Sequence, residues 1–328
     1  MKTKDLILDI LKRNAGSYIS GQRLAEELNI SRAAVWKAIN SLKNDGLNIE
    51  GVTNKGYRIV TGRLKVFNYN EAASTNDLAK EFALSHPDTD AVFVADCQTK
   101  GRGRRGRSFF SPGSTGLYMS LLIHPKADAS KTAHLTCLAA AAVCDAIEEA
   151  CGIQTQIKWV NDIYYRNKKI CGILTEGQAS LEDGLFSYVI VGIGINLCAP
   201  EGGFPDDIKN KAGALFKDCA PNGSVSDIKN MLCNSIIKNF FKYYNSSDEK
   251  SFLSRYKERS MLIGKHVEIL SHSRKNMLER SSFSADTDEN QNPRVLVTGI
   301  DDSCRLLVRY PDGSAAALSS GEVSAVPL

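Results

Sequence analysis

The sequence predicts an α+β multidomain protein in three parts: a winged helix-turn-helix over residues 1–62, a central α/β domain with a mixed sheet over 63–261, and a small C-terminal SH3-like β-barrel over 262–328. Three observations predict it. A chain of 328 residues is too long for one ordinary core, so two or three domains are expected. Met1–Arg63 carries eleven Lys/Arg against six Asp/Glu, whereas the whole chain nets only +4, so a basic appendage sits on a near-neutral body. Apolar spacing is helical near the N-terminus and alternates in strand fashion from Leu262 onward.

Composition narrows the class. Hydrophobic content of 43% with 24% charged residues is that of a soluble globular protein. The longest apolar stretches, such as Leu135–Val143, fall far short of a membrane span. Met1–Arg13 mixes Lys and Asp into its apolar pattern and offers no signal-peptide core, so a cytoplasmic protein without a membrane partner is expected. Nine cysteines without a CxxC pair argue against a zinc site and a disulfide framework. Cys137, Cys144 and Cys151 recur on one helix face and read as small buried hydrophobes.

In the first module, Leu6, Ile7, Ile10 and Leu11 follow a helical pattern, with Gly16 just past its end. Ser20 caps a second helix through Leu28, Asn29-Ile30 makes the turn, and Ser31 caps a third helix carrying Val35, Trp36, Ile39 and Leu42. Leu47–Glu50 and Gly56–Val60 read as two strands with Thr53-Asn54-Lys55 at their tip. Such a third helix enters the major groove, with Ser31, Arg32, Ala33, Trp36 and Lys37 near its leading end. Arg32 and Lys37 reach base edges or phosphates, and Lys55 and Arg58 suit backbone contacts from the wing. Trp36 reads as core or groove wall rather than a base reader. The alternative is a protein-interaction domain whose cations are a solvated face.

The densest chemistry is central. Lys100-Gly101-Arg102-Gly103-Arg104-Arg105-Gly106-Arg107 alternates five cations with three glycines, so backbone N–H groups and guanidinium forks can surround an anion closely. No GK[ST] follows, so it is not a Walker loop. Taken alone it equally suits a disordered RNA-binding patch. Strand patterns on both sides, Asp90–Ala95 and Leu117–Ile123, favour a mobile anion clamp. Ser74-Thr75-Asn76 heads a helical pattern, Lys158-Trp159-Val160-Asn161-Asp162 closes a strand, and Lys169–Glu176 opens a buried one. Val189–Asn196 is an apolar strand whose Gly192 and Gly194 leave room for a ligand or another backbone.

In that order, Ser74-Thr75-Asn76, Gln98 with the Gly/Arg loop, the Lys158–Asp162 motif, the Lys169–Glu176 strand and Gly192–Asn196 resemble the biotin protein ligase family. With the N-terminal module and a small C-terminal β domain, the resemblance extends to its bifunctional bacterial branch and over essentially the whole chain. Val160 departs from the family pattern, which usually has proline there. The central domain is then expected to be biotin/lipoate ligase-like.

The resemblance implies an enzyme that makes biotinyl-5′-AMP from biotin and ATP with Mg2+, then transfers biotin to a lysine of a biotin carboxyl carrier protein. It implies a repressor of biotin biosynthesis genes as well, binding an inverted-repeat operator as a homodimer when adenylate-bound. Ser74, Thr75, Asn76 and Gln98 would contact biotin. Arg102, Gly103 and Arg104 would fold over its carboxylate and the adenylate phosphate within the loop Gly101, Arg102, Gly103, Arg104, Arg105, Gly106 and Arg107. Lys169 would hold the same oxygens, Lys158 would lie near the phosphates, and Asp162 would help bind Mg2+ or orient the incoming lysine; no dedicated metal site is implied. The sheet backbone at Gly172, Ile193, Gly194 and Asn196 would face the ligand. Negative charge building at the α-phosphorus is offset by Arg104, Lys158, Lys169 and Mg2+. No nucleophilic Cys or Ser is needed. The rivals are a lipoate–protein ligase and a ligand-sensing repressor without catalysis.

In the last module, Val267–Ile269, Val295–Val297, Leu306–Val308 and Ala315–Leu318 alternate as strands, with Pro311-Asp312-Gly313 as a turn. Ser271–Asn292 is polar and reads as a mobile loop.

Overall fold

A computed structural model describes residues 3–14, 17–44, 47, 49–59, 64–125, 131–180, 185–217, 225–246, 248, 250–269, 293–319 and 323–325. The loop expected at Ser271–Asn292 lies outside the described residues.

Three helices open the chain: α1 (Thr3–Arg13), α2 (Gly21–Leu28) and α3 (Arg32–Asn44). The caps stand where the sequence puts them. Ser20 accepts from Arg23 N–H, and Ser31 Oγ accepts from Ala34 N–H at 3.1 Å. Asn29 takes the left-handed conformation that ends α2. An antiparallel hairpin follows, β1 (Ile49–Val52) and β2 (Gly56–Ile59), and Ile19 bridges to Tyr57 beside it. Ile7, Ile10, Leu11, Leu24, Val35, Ile39, Leu42 and Ile49 form a core of their own.

The central sheet has seven strands in the order β3-β4-β5-β9-β8-β7-β6. They are β3 (Lys65–Ala72), β4 (Ala91–Gln98), β5 (Gly116–Ile123), β6 (Gln156–Lys158), β7 (Asp162–Tyr165), β8 (Lys168–Ala179) and β9 (Phe186–Asn196). Only β3 and β4 run parallel, so the sheet is mixed as expected. Helix α4 (Thr75–Ser85) lies on one face, over Phe93, Leu122 and Ile190. The other face packs on the apolar α5 (Thr132–Cys151), which in turn meets α6 (Val225–Tyr244) and α7 (Leu253–Glu258). Asp145 of α5 ties these helices together, accepting from Tyr243 Oη at 2.6 Å and Arg255 Nε at 2.7 Å.

The C-terminal sheet is antiparallel, in the order β13-β12-β11-β10-β14. Its strands are β10 (His266–Ile269), β11 (Arg294–Ile300), β12 (Leu306–Arg309), β13 (Ala315–Leu318) and β14 (Val323–Ala325). Among the described residues β13 and β14 do not pair, so the sheet is open. Its inward residues Val267, Val295, Leu306 and Val308 belong to the same core as α5 and the central sheet.

Cys137 and Cys144 are buried in α5, as their spacing predicts, and burial pushes the Cys144 thiol up to about 12. Cys198 is disulfide-bonded, an exception to reading the cysteines as unlinked hydrophobes. Among the described residues, no helix is long and apolar enough to cross a membrane.

Candidate functional site

Strand register builds the site. Lys158 pairs with Asp162, Asp162 with Gly172, Gly172 with Gly194, and Gly194 with Tyr118, one lateral row across β6, β7, β8, β9 and β5. The row begins with a cation and a carboxylate and continues over two glycines. One step along, Ser120 pairs with Gly192.

The two glycines of β9 are required by what lies on them. A β-carbon at Gly192 would stand 2.2 Å from Asn76 Oδ1, and one at Gly194 would stand 2.5 Å from Phe109 Cε1. Gly172 carries the same Phe109 ring on one side and Lys169 on the other. The bare patch thus admits the first turn of α4 and an aromatic ring from the Gly/Arg loop.

Beneath the start of α4 runs a polar relay. Ser74, Thr75, Asn76 and Ser120 are all buried, so their polar atoms need partners. Thr75 N–H and Oγ1 donate to Gln98 Oε1 at 2.9 and 3.2 Å. Gln98 Nε2 donates to Ser111 Oγ at 3.0 Å. Ser120 Oγ lies 2.6 Å from Asn76 Oδ1 and 2.7 Å from Thr75 Oγ1. Asn76 Nδ2 donates to Glu176 Oε2 at 2.6 Å.

The Gly/Arg loop docks on this relay. Arg102 Nη2 bridges Asp77 at 2.7 Å and Glu176 at 3.0 Å. Gly103 N–H donates to Arg107 O and Arg102 bridges Ser108, so the loop is a small hairpin with left-handed Arg105 and Gly106 at its tip. Phe109 N–H returns to Gly101 O at 2.8 Å. The mobile clamp of the sequence reading is therefore a hydrogen-bonded hairpin here. Arg105 and Arg107 are exposed.

Arg104 Nη1 donates to Asn161 Oδ1 at 3.0 Å, and Asn161 is stapled to β8 by bonds in both directions with Ile173. Arg104 also lines a cleft of about 430 Å3 with Thr132, Thr136 and Thr175, to which Ser303 and Arg305 of the turn between β11 and β12 contribute. The turn between Lys158 and Asp162 contains a cis Trp159–Val160 peptide. Two distant elements hold it: Tyr256 Oη donates to Val160 O at 3.0 Å, and Trp159 Nε1 donates to Cys304 O at 2.9 Å.

Asp162 Oδ1 faces Lys169 Nζ at 2.7 Å, an ion pair off the hydrogen-bond direction that leaves this buried oxygen without a donor. Tyr164 stands beside Asp162, and burial followed by that carboxylate pushes its hydroxyl up to about 12. Asn196 Nδ2 donates to Gly213 O, and the Ile193 side chain points into the core on the opposite sheet face. Among the described residues no cluster of three or more His, Cys, Asp or Glu is grouped for a metal.

The predicted residues thus gather in one place, except the tip arginines and the N-terminal set. There, Ser31 is spent as a cap, and Arg58 is held by Glu50 at 2.6 Å and lies over the Tyr18 ring at 4.8 Å. Arg32, Lys37 and Lys55 are exposed. Trp36, expected as core or groove wall, is 58% exposed. Phe109, Ser120 and Asp77 were given no role from sequence, and Glu176 stood there only as the end of the Lys169–Glu176 strand. A lone serine inside the apolar run Leu117–Ile123 was the available signal for Ser120.

Known proteins resemble each part. Residues 3–58 match an HTH domain, 70–196 the biotin/lipoate A/B protein ligase family, and 287–326 a biotin protein ligase C-terminal domain. The bifunctional ligase/repressor BirA of Bacillus subtilis is 41% identical over 230 residues, 65% of this chain and 70% of that protein. Its Salmonella typhimurium counterpart is 26% identical over 274 residues, 78% of this chain and 82% of that protein. A biotin protein ligase from Aquifex aeolicus, solved with biotin and ATP, is 26% identical with a TM-score of 0.60, covering 80% of this chain and 98% of that one. Fold, site and similarity agree: the chain belongs to the bifunctional ligase/repressor family of biotin protein ligases.

Proposed function

We propose that this chain activates biotin with ATP, transfers it to a lysine of an acceptor protein, and represses transcription through its N-terminal domain. The observation that carries the enzyme reading is the lateral row from Lys158 to Gly194, with the Gly/Arg hairpin folded over it.

Biotin's bicyclic ring would lie against the Phe109 ring that covers Gly172 and Gly194, with Ser74, Thr75, Asn76 and Gln98 offering polar groups at one end. Its carboxylate would meet Arg102, Arg104 and Lys169, whose charges suit both that group and the phosphates. A biotin carboxylate oxygen attacks the α-phosphorus of ATP; the bond to the β,γ-diphosphate breaks and biotinyl-5′-AMP remains. Arg104, Lys158 and Lys169 offset the charge that develops. Mg2+ accompanying ATP would supply further charge neutralisation, and Asp162, here ion-paired with Lys169, is the carboxylate of the row that would hold it. The acceptor's lysine amine then attacks the anhydride carbonyl and AMP leaves. Asp162 is placed to orient that amine. The hairpin of Gly101–Arg107 excludes water meanwhile, because the anhydride hydrolyses.

The acceptor fitting this chemistry is a biotin carboxyl carrier protein. The C-terminal strands are read as an SH3-like barrel, the domain limits as 1–62, 63–261 and 262–328, and the compartment as the cytoplasm. Arg32, Lys37 and Lys55 would contact operator DNA, an inverted repeat matched to a homodimer that forms when adenylate is bound. If adenylate favours the dimer, the dimer must favour adenylate by the same factor.

The test is incubation with biotin, Mg-ATP and a biotin carboxyl carrier domain, read by intact mass, beside ATP–diphosphate exchange with biotin and with lipoate. An unmodified carrier would sink the transfer reading, and exchange with lipoate alone would replace the substrate. Sedimentation with a non-hydrolysable biotinyl-adenylate analogue addresses dimerisation; an equilibrium identical to the free protein's would remove it.

A further inference from the structure

Trp36 sits where no packing argument needs it. On α3, Val35, Ala38, Ile39 and Leu42 face the N-terminal core, whereas Ser31, Arg32, Ala33, Trp36 and Lys37 face water. At about 100° per residue, Arg32, Trp36, Ala33 and Lys37 follow one another around about 140° of the helix. The indole therefore stands inside the exposed arc, flanked by two cations. It is 58% exposed and makes no ring contact or hydrogen bond with any other described residue.

The arc names its occupant. In a symmetric contact with a second copy, Arg32 and Lys37 would oppose like charges, whereas phosphates on both sides of a DNA groove would match them. The bases of a duplex are stacked, so an indole at the groove floor finds no free base face. The apolar feature it meets there is the thymine 5-methyl group, which distinguishes thymine from the other bases in the major groove. Ala33 beside it is small enough to let the helix approach.

Resting on the reading of the N-terminal unit as DNA-binding, the geometry points to Trp36 as a specificity-determining residue that reads thymine methyl groups in the major groove, with Arg32 and Lys37 supplying the polar contacts around it. Its exposure excludes the core and leaves the groove, where it is read here as a base contact.

The test uses the full chain with biotin and Mg-ATP. Duplexes are selected from a random pool by wild type, then each thymine of the selected site is replaced by uracil, which removes only the methyl. Wild type is expected to lose about fourfold in affinity at the contacted thymine of each half-site, the worth of one buried methyl. W36A should bind those thymine and uracil duplexes equally, and W36F should keep part of the difference. Binding of random duplex and its salt dependence should change little in either variant. Equal uracil sensitivity in W36A and wild type overturns the assignment. Loss of self-association in W36A without DNA gives the arc to a second copy and overturns it too. If wild type selects no sequence over random DNA, the DNA-binding reading itself falls, and the inference with it.

Discussion

Phe109 rests on Gly194: a β-carbon there would come within 2.5 Å of the ring. The same surface is the seat proposed for biotin, so one substitution tests both occupants. Gly194→Ala is expected to displace the ring and to overpack the ligand by about 1–3 kcal/mol, roughly 5- to 150-fold in Kd. Calorimetric titration with biotin reads the effect, with thermal melting as the folding control. Unchanged biotin affinity would place the ligand elsewhere.

Ser120 carries a second expectation. Its hydroxyl is fully buried between Asn76 and Thr75, so Ser120→Ala leaves the Asn76 carbonyl oxygen short of a donor. The cost should be about 1–3 kcal/mol of stability by urea denaturation, together with weaker biotin binding as the start of α4 shifts. Stability within about 0.5 kcal/mol of wild type would mean that the relay is dispensable.

Lys169 and Asp162 test charge against structure. Lys169→Ala removes the cation 2.7 Å from Asp162 and should weaken biotin and slow adenylation while sparing DNA binding. Adding Asp162→Asn should recover any lost stability but not the activity. Recovery of activity in the double variant would show that Lys169 serves only to neutralise Asp162.

Arg104 is the clamp. Arg104→Gly deletes the guanidinium held by Asn161, and adenylate should still form but escape about 10- to 150-fold faster, for one charge-assisted bond of roughly 1.5–3 kcal/mol. Escaped adenylate should biotinylate bystander lysines, visible by avidin blotting. A dissociation rate equal to wild type, measured by trapping, argues against the clamp.

The fold was legible where local signals agree. Ser20, Asn29 and Ser31 punctuate the first helices through bonds within four residues, so sequence suffices. The Gly/Arg loop and the Lys158–Asp162 motif announced themselves by composition. Ser120 and Glu176 did not, because their roles depend on how β5, β8 and β9 align. Only the register that puts Ser120 opposite Gly192 leaves Asn76 room to descend onto the sheet. Phe109 gains its place only because two glycines from separate strands are paired beneath it. Trp36 misled for the opposite reason: a helical pattern marks apolar residues, and the face that each turns to water emerges only with the packed core. At the C-terminus the alternating pattern gave the antiparallel strands, and among the described residues β13 and β14 do not pair.

The bond from Trp159 to Cys304 makes the two ends of the chain unequal. The N-terminal helices close a core of their own, which leaves the interior of the central sheet independent of them. The C-terminal sheet has no such freedom. It shares its interior with α5 and grips the turn that presents Asn161 and Asp162, so its loss would unseat that turn from behind. Removing the N-terminal unit would leave the interior behind the site whole, whereas removing the C-terminal sheet would open it.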